Sequence, residues 1–346
     1  AVSVAPPTPT VAIAAQAPGS VTEGNAFTRS IVFSDGEDSG GDGWTYNVTW
    51  NDGVVQTGTT ATQSFELTRS APDGDAALSA TITVSDTSGT DSDVENLALT
   101  VTNVAPTATV SGAATITEGS LYTLTVGPIT DPGADTRSSY TIAWGDGLTD
   151  SFTAAEWTAA AGSFTHTYAD GPGSAVITVS TTDEDGSFTL GTQEVAIDNV
   201  APTATVSGAA TIAEGSLYTL TVGPITDPGA DTRSSYTIAW GDGLTDSFTA
   251  AEWTAAAGSF THTYADGPGS AVITVSTTDE DGSFTLGTQA VTIANVAPTA
   301  TVSGAATTAE GTLYSLPVGP VADPGADTRS AYTIAWGDGL TDSYTA

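Results

Sequence analysis

The sequence predicts an all-β fold of serial sandwich domains, and three observations predict it. Trp144-Gly145-Asp146-Gly147 returns at Trp240 and again at Trp336, a spacing of 96 residues (240 − 144 and 336 − 240). Between these marks run short segments in which Val, Ile, Tyr and Phe alternate with Thr and Ser, the period-2 signature of half-buried strands. Clusters of Gly, Pro and Asp separate the segments, and a unit of this length is too long for a solenoid turn but able to bury its own core.

Val-Ala-Pro opens each repeat at Val4, Val104, Val200 and Val296, dividing the chain into 1–103, 104–199, 200–295 and 296–346, the last being the N-terminal part of a further copy. That ending predicts a segment of a longer protein. Repeats two and three differ at four positions only, Thr117/Ala213, Glu194/Ala290, Ala196/Thr292 and Asp198/Ala294, which points to recent duplication. Repeat one is divergent but in register, with Thr22-Glu23-Gly24 matching Thr117-Glu118-Gly119 and Trp50-Asn51-Asp52-Gly53 matching the tryptophan motif.

In repeat two the pattern predicts strands over Thr107–Ser111, Leu121–Val126, Tyr140–Trp144, Phe164–Tyr168, Ala175–Thr181 and Phe188–Ile197, with Ala154–Ala161 the one helical stretch. The linkers Asn103-Val104-Ala105-Pro106 and Asn199-Val200-Ala201-Pro202 are short and end in proline, which fixes φ and extends the preceding residue. Neighbouring repeats are therefore expected to be held semi-rigidly, end to end, as a rod.

Composition narrows the function. Five Lys+Arg, all arginine, stand against 40 Asp+Glu, a formal net charge of -35. Such a surface repels nucleic acid and anionic lipid and attracts divalent cations, calcium first among them. Cysteine and methionine are absent, so disulfides and thiolate metal sites are excluded. Without lysine there is no isopeptide crosslink, and calcium or packing has to supply the stiffness. No apolar run is long enough for a membrane span, and Ala1 to Pro9 has no signal-peptide pattern.

Tyr140-Thr-Ile-Ala-Trp-Gly-Asp-Gly147, then Phe164-Thr-His-Thr-Tyr168, then Gly173 to Val179, resembles the polycystic kidney disease (PKD) domain pattern. The likeness covers repeats two and three, the fourth as far as it runs, and the first weakly, since no His-x-Tyr occurs there. The resemblance implies tandem Ig-like (PKD-type) β-sandwiches in an extracellular or cell-surface protein, serving as spacer, adhesion or surface-polymer modules. Thr-Glu-Gly and Asp-Pro-Gly-Ala-Asp are also similar to calcium-linked bacterial cadherin-like arrays.

In an Ig-like strand order, the loops with Asp131/Asp135 and Asp183/Asp185 lie at the N-terminal end of their repeat and Glu118 at the opposite end, with the Gly-Asp-Gly turn of Asp146. Stacking then gathers Glu23, Asn103, Asp131, Asp135, Asp183 and Asp185 at the first junction. The second gathers Glu118, Asp198, Asn199, Asp227, Asp231, Asp279 and Asp281, and the third Glu214, Asn295, Asp323 and Asp327. Calcium takes about six to eight oxygen ligands, and these sets supply them. The competing reading is turn aspartates on a soluble acidic surface.

Trp144, Trp240 and Trp336 are expected in the core, with sugar stacking as the rival role, whereas Trp157 and Trp253 are better candidates for an exposed contact with neighbouring chains, with partial core as the first expectation for them too. His166 and His262 lack a second histidine or a cysteine for a zinc site or triad, so they read as hydrogen-bonded structural residues. The expected function is a non-enzymatic structural or adhesive segment of a secreted or cell-surface fibre, sheath or adhesin stalk. Its partners would be calcium and neighbouring copies in a fibre or surface layer. The alternative is a carbohydrate-binding or spacer module attached to a secreted hydrolase, with polysaccharide as partner.

Overall fold

A computed structural model describes residues 11–36, 43–87 and 91–346, so the Val4-Ala5-Pro6 copy lies outside the described residues. Two compact units form: Ala1–Ile116 with Leu121–His166 and Ser174–Ala196, and Thr117–Ser120 with Thr167–Gly173 and Ile197–Ala346.

In the second unit, repeat three contains a three-stranded sheet in the order Val206–Gly208, Leu217–Val222, Ser259–Thr263. Its five-stranded sheet runs Thr211–Ala213, Ser283–Ala294, Gly269–Thr278, Ser235–Ala239, Thr245–Thr249. Pairing is antiparallel except where Thr211–Ala213 runs parallel to Ser283–Ala294. Alternation puts Tyr218, Leu220 and Val222 inward from one sheet and Ile238, Ile273 and Val275 inward from the other, where they share one buried cluster with Trp240, Phe260 and Ile293. Most threonines and serines face out, with Thr277 the buried exception, its hydroxyl donating to the Ser235 carbonyl at 3.1 Å. The repeats are all-β, Ig-like sandwiches in tandem.

Repeat one, in the first unit, has the same order: Ala12–Ile13, Ala26–Ser34, Ser64–Ser70 in one sheet, and Gly19–Thr22, Ser92–Thr102, Ala77–Asp86, Trp44–Trp50, Val55–Thr60 in the other. Its core centres on Ile31, Val48, Trp50, Leu67, Ile82 and Leu97. Residues 296–346 carry two two-stranded sheets, Thr299–Val302 with Val318–Ala322 and Ala331–Ala335 with Thr341–Thr345.

Several strand expectations shift. Thr107–Ser111 resolves into an isolated bridge, Thr107 to Thr130, and the strand Val110–Gly112. Thr115–Thr117 and Thr149–Thr153 are strands that alternation does not reveal, because each is short and turns only one side chain toward the core. The helix Ala154–Ala160 is real and starts at a reciprocal capping box, Thr153 with Glu156.

Trp144 and Trp240 are core residues, each 1% exposed, which removes the sugar-stacking alternative for them. Trp336 departs from expectation at 38% exposure, because the four strands around it do not enclose it. Trp157 and Trp253 take the partial-core role expected first for them: each is half-buried and stacks from its short helix on Tyr140 or Tyr236, at 4.5 Å between ring centres, which leaves the contact with neighbouring chains as the lesser reading.

Candidate metal centres at the linkers

The first centre lies in the first unit, where a Thr-Glu-Gly turn meets a linker. Glu23 is 0% exposed, and its Oε1 accepts the Val104 N–H at 2.7 Å. Its Oε2 is buried with no hydrogen-bond partner. Asp73, Asp135 and Asp185 each bring a carboxylate oxygen into a set that, with Glu23, lies within 4.8 Å. Asp-Pro-Gly makes the room: a Cβ on Gly133 would fall 2.6 Å from Glu23 Oε2.

The surrounding groups order this set. Asn103 Nδ2 donates to Asp185 Oδ2 at 2.8 Å, while Asn103 Oδ1 is buried and unpartnered. Asp183 Oδ1 accepts the N–H groups of Asp185 and Gly186 at 3.0 and 3.1 Å, leaving a buried Oδ2. Asp131 accepts from Gly133 N–H at 3.3 Å and from Arg137 at 2.8 Å.

The second unit repeats the plan twice. Glu118, 0% exposed, accepts the N–H of Val200 at 2.7 Å and of Gly171 at 2.7 Å. It gathers with Asp227 and Asp231, and Asp231 also gathers with Asp170 and Asp281. Asn199 donates to Asp281 at 2.6 Å, and Asp279 accepts from Asp281 and Gly282 N–H at 3.1 and 3.2 Å. Glu214 accepts from Val296 at 2.7 Å and Gly267 at 2.6 Å and gathers with Asp266 and Asp327. With its amide turned to satisfy both ends, Asn295 donates to Asp327 at 3.3 Å. Asp323 accepts from Gly325 N–H at 3.3 Å and from Arg329 at 3.5 Å.

Not every sequence candidate joins a set. Asp198 leaves its side chain exposed and offers its carbonyl to Glu118 N–H at 3.0 Å. Asp146 turns to His166 Nε2 at 2.7 Å and to Leu148 N–H at 3.0 Å instead. The loop aspartates Asp73, Asp170 and Asp266 are the members that sequence reasoning missed. The signal was there, since each starts an acidic Gly-containing turn before the penultimate strand, but such turns are common turn chemistry.

Burial and mutual repulsion raise several carboxyls of these sets above their ordinary range. Burial first, then the adjoining Asp131 carboxyl, then the charges of Glu23 and Asp183, push the Asp135 carboxyl up to about 7. Asp231 is pushed to about 7 by the same causes from Asp227, Glu118 and Asp279. Burial also raises Glu23, against the Val104 N–H that lowers it. The donors are all oxygens, and ligands on opposite sides of a calcium ion stand about 5 Å apart, given Ca–O bonds of 2.3–2.6 Å, so the spacing fits a hard divalent cation.

A folded-state value near 7 against 3.8 when exposed means the folded chain holds the extra proton between those limits. Stability from these groups is fully present below about 4 and is lost as pH rises toward 7. In chelator, melting should therefore weaken between about pH 4 and pH 7 and level off above that. Asp135→Asn with Asp231→Asn should flatten that slope, and an unchanged slope would refute the assignment.

The tryptophan motif closes on itself rather than on a ligand. His166 and His262 stack on Trp144 and Trp240 at 4.6 Å and 8° and bond the aspartate of the Gly-Asp-Gly turn. Partial burial pushes Asp146 up, but Leu148 N–H and His166 outweigh it and hold the carboxyl below its usual range. Repeat one uses arginine in the same role, with Arg69 5.6 Å above the Trp50 ring and paired to Asp52. That substitution explains the missing His-x-Tyr.

No family model matches the chain, and no curated protein does. Among solved structures, a tetra-tandem repeat in the extending region of a large adhesion protein is similar at 17% identity and TM-score 0.40, covering 98% of this chain and 87% of that one. The immunoglobulin domains 1–5 of Sidekick-1 are similar at 13% identity and TM-score 0.32, covering 83% of this chain and 59% of that structure. Extracellular domains 3–5 of Drosophila OTK are similar at 8% identity and TM-score 0.26, covering 85% and 99%.

Proposed function

We propose that this chain is a structural or adhesive repeat segment of a secreted or cell-surface protein, PKD-like in type, whose repeats are joined through bound calcium. The observation that carries the reading is Glu23: a fully buried carboxylate with one oxygen unpartnered, converging with Asp73, Asp135 and Asp185. An isolated buried charge is costly, and a cation is the partner that removes the cost for all four groups at once. The glutamate also accepts from the linker N–H, so a cation bound there ties the end of one repeat, the linker and the loops of the next. A net charge of -35 supplies the long-range attraction. The reading is non-catalytic.

Calorimetry of the chain with calcium chloride in about 0.15 M sodium chloride tests it. Saturable binding is expected, and Glu23→Gln, Glu118→Gln and Glu214→Gln together should abolish most of it. Binding of equal strength in that triple variant would contradict the assignment.

A further inference from the structure

We propose that Arg137, Arg233 and Arg329 set the cation affinity of the three centres by holding Asp131, Asp227 and Asp323 as scaffold rather than as ligands. The inference rests on the calcium reading above and goes further, because it assigns a role to three of the only five cationic side chains in the chain.

Each arginine follows its aspartate by six residues, and the pairs close at 2.8, 2.9 and 3.5 Å. The aspartate side chains are 3%, 2% and 0% exposed. Their second oxygens accept the N–H of Gly133, Gly229 and Gly325 at 3.3, 3.2 and 3.3 Å. Each of these aspartates thus has a guanidinium on one oxygen and a backbone N–H on the other, whereas Glu118 and Glu214 accept backbone N–H groups alone and carry no cationic partner among the described residues. Asp135 and Asp231, four residues on, are the opposite, with both oxygens buried and unpartnered. Accordingly Asp131 and Asp323 stand outside the converging sets, while Asp227 stands within its set and keeps its arginine.

Calcium affinity rises with the number of ligand charges and with site rigidity. A guanidinium beside the site subtracts one charge and removes one carboxylate from competition for the ion. It also keeps a buried aspartate paired when calcium is absent, which a hydrated, flexible ammonium does less well. The arginine therefore acts in opposite directions on the two states: it supports the metal-free fold and weakens the metal-bound one.

The test uses the full chain, calcium chloride and calorimetry, with melting in chelator as the second readout. Arg137→Gln, Arg233→Gln and Arg329→Gln together should lower the metal-free melting temperature yet bind calcium about ten-fold more tightly per site, about 1.4 kcal/mol. Adding Asp131→Asn, Asp227→Asn and Asp323→Asn restores charge balance with amides of the same shape. That six-fold variant should return to within about three-fold of the parent affinity, about 0.65 kcal/mol. A purely structural arginine would lower metal-free stability and calcium affinity together, and that outcome overturns the proposal. So does a loss beyond about ten-fold in the charge-balanced variant, since the aspartates would then be ligands. A parent chain that binds no calcium would instead sink the calcium reading itself, and this proposal with it.

Discussion

Trp240→Ala in the isolated repeat Val200–Asn295 is expected to cost about 3 to 5 kcal/mol in denaturant unfolding. The indole is 1% exposed within a cluster drawn from both sheets, so truncation loses its burial and leaves a cavity the rigid strands cannot close. Polar contacts fail as well. Nε1 no longer donates to Asp246 at 2.9 Å, leaving a carboxylate with one fewer donor, and the His262 ring loses the surface it stacks on. A loss below about 1 kcal/mol would mean that the indole is not a core element and would reopen a surface role for it.

The repeat period, the sandwich class and the core tryptophans were legible because each leaves a local mark: fixed spacing, period-2 alternation, and one large aromatic beside a Gly-Asp-Gly turn. The fate of Trp336 was not, since burial depends on strands from elsewhere in a fold and not on the motif itself. Glu23, Asp135 and Asp185 could be listed together only by assuming a strand order, and the contribution of Asp73 stayed hidden behind turn composition. Arg137 and Asp131 lie six residues apart in an irregular loop, a spacing that matches neither helix nor strand periodicity. The exchange of His166 for Arg69 was invisible for a different reason. The two residues share a job, a donor stacked on an indole and bonded to a turn aspartate, without sharing a motif.

The second large effect is the response to calcium. A ligand that binds only the folded state stabilises it by RT ln(1 + [L]/Kd), so calcium at about 100 times Kd should add roughly 2.7 kcal/mol per site. The gain should be largest above pH 7, where Asp135 and Asp231 have released their protons and repulsion in the empty sets is greatest. Any salt screens a chain of net charge -35, so sodium chloride at matched ionic strength is the necessary reference. The decisive measurement is the melting of the full chain at pH 7.5 in chelator, in calcium and in matched sodium, with Glu118→Gln plus Asp231→Asn run alongside. The account predicts a calcium-specific rise that saturates and shrinks in the double variant. A rise no greater in calcium than in sodium would contradict it and leave the aspartates as turn residues on an acidic surface.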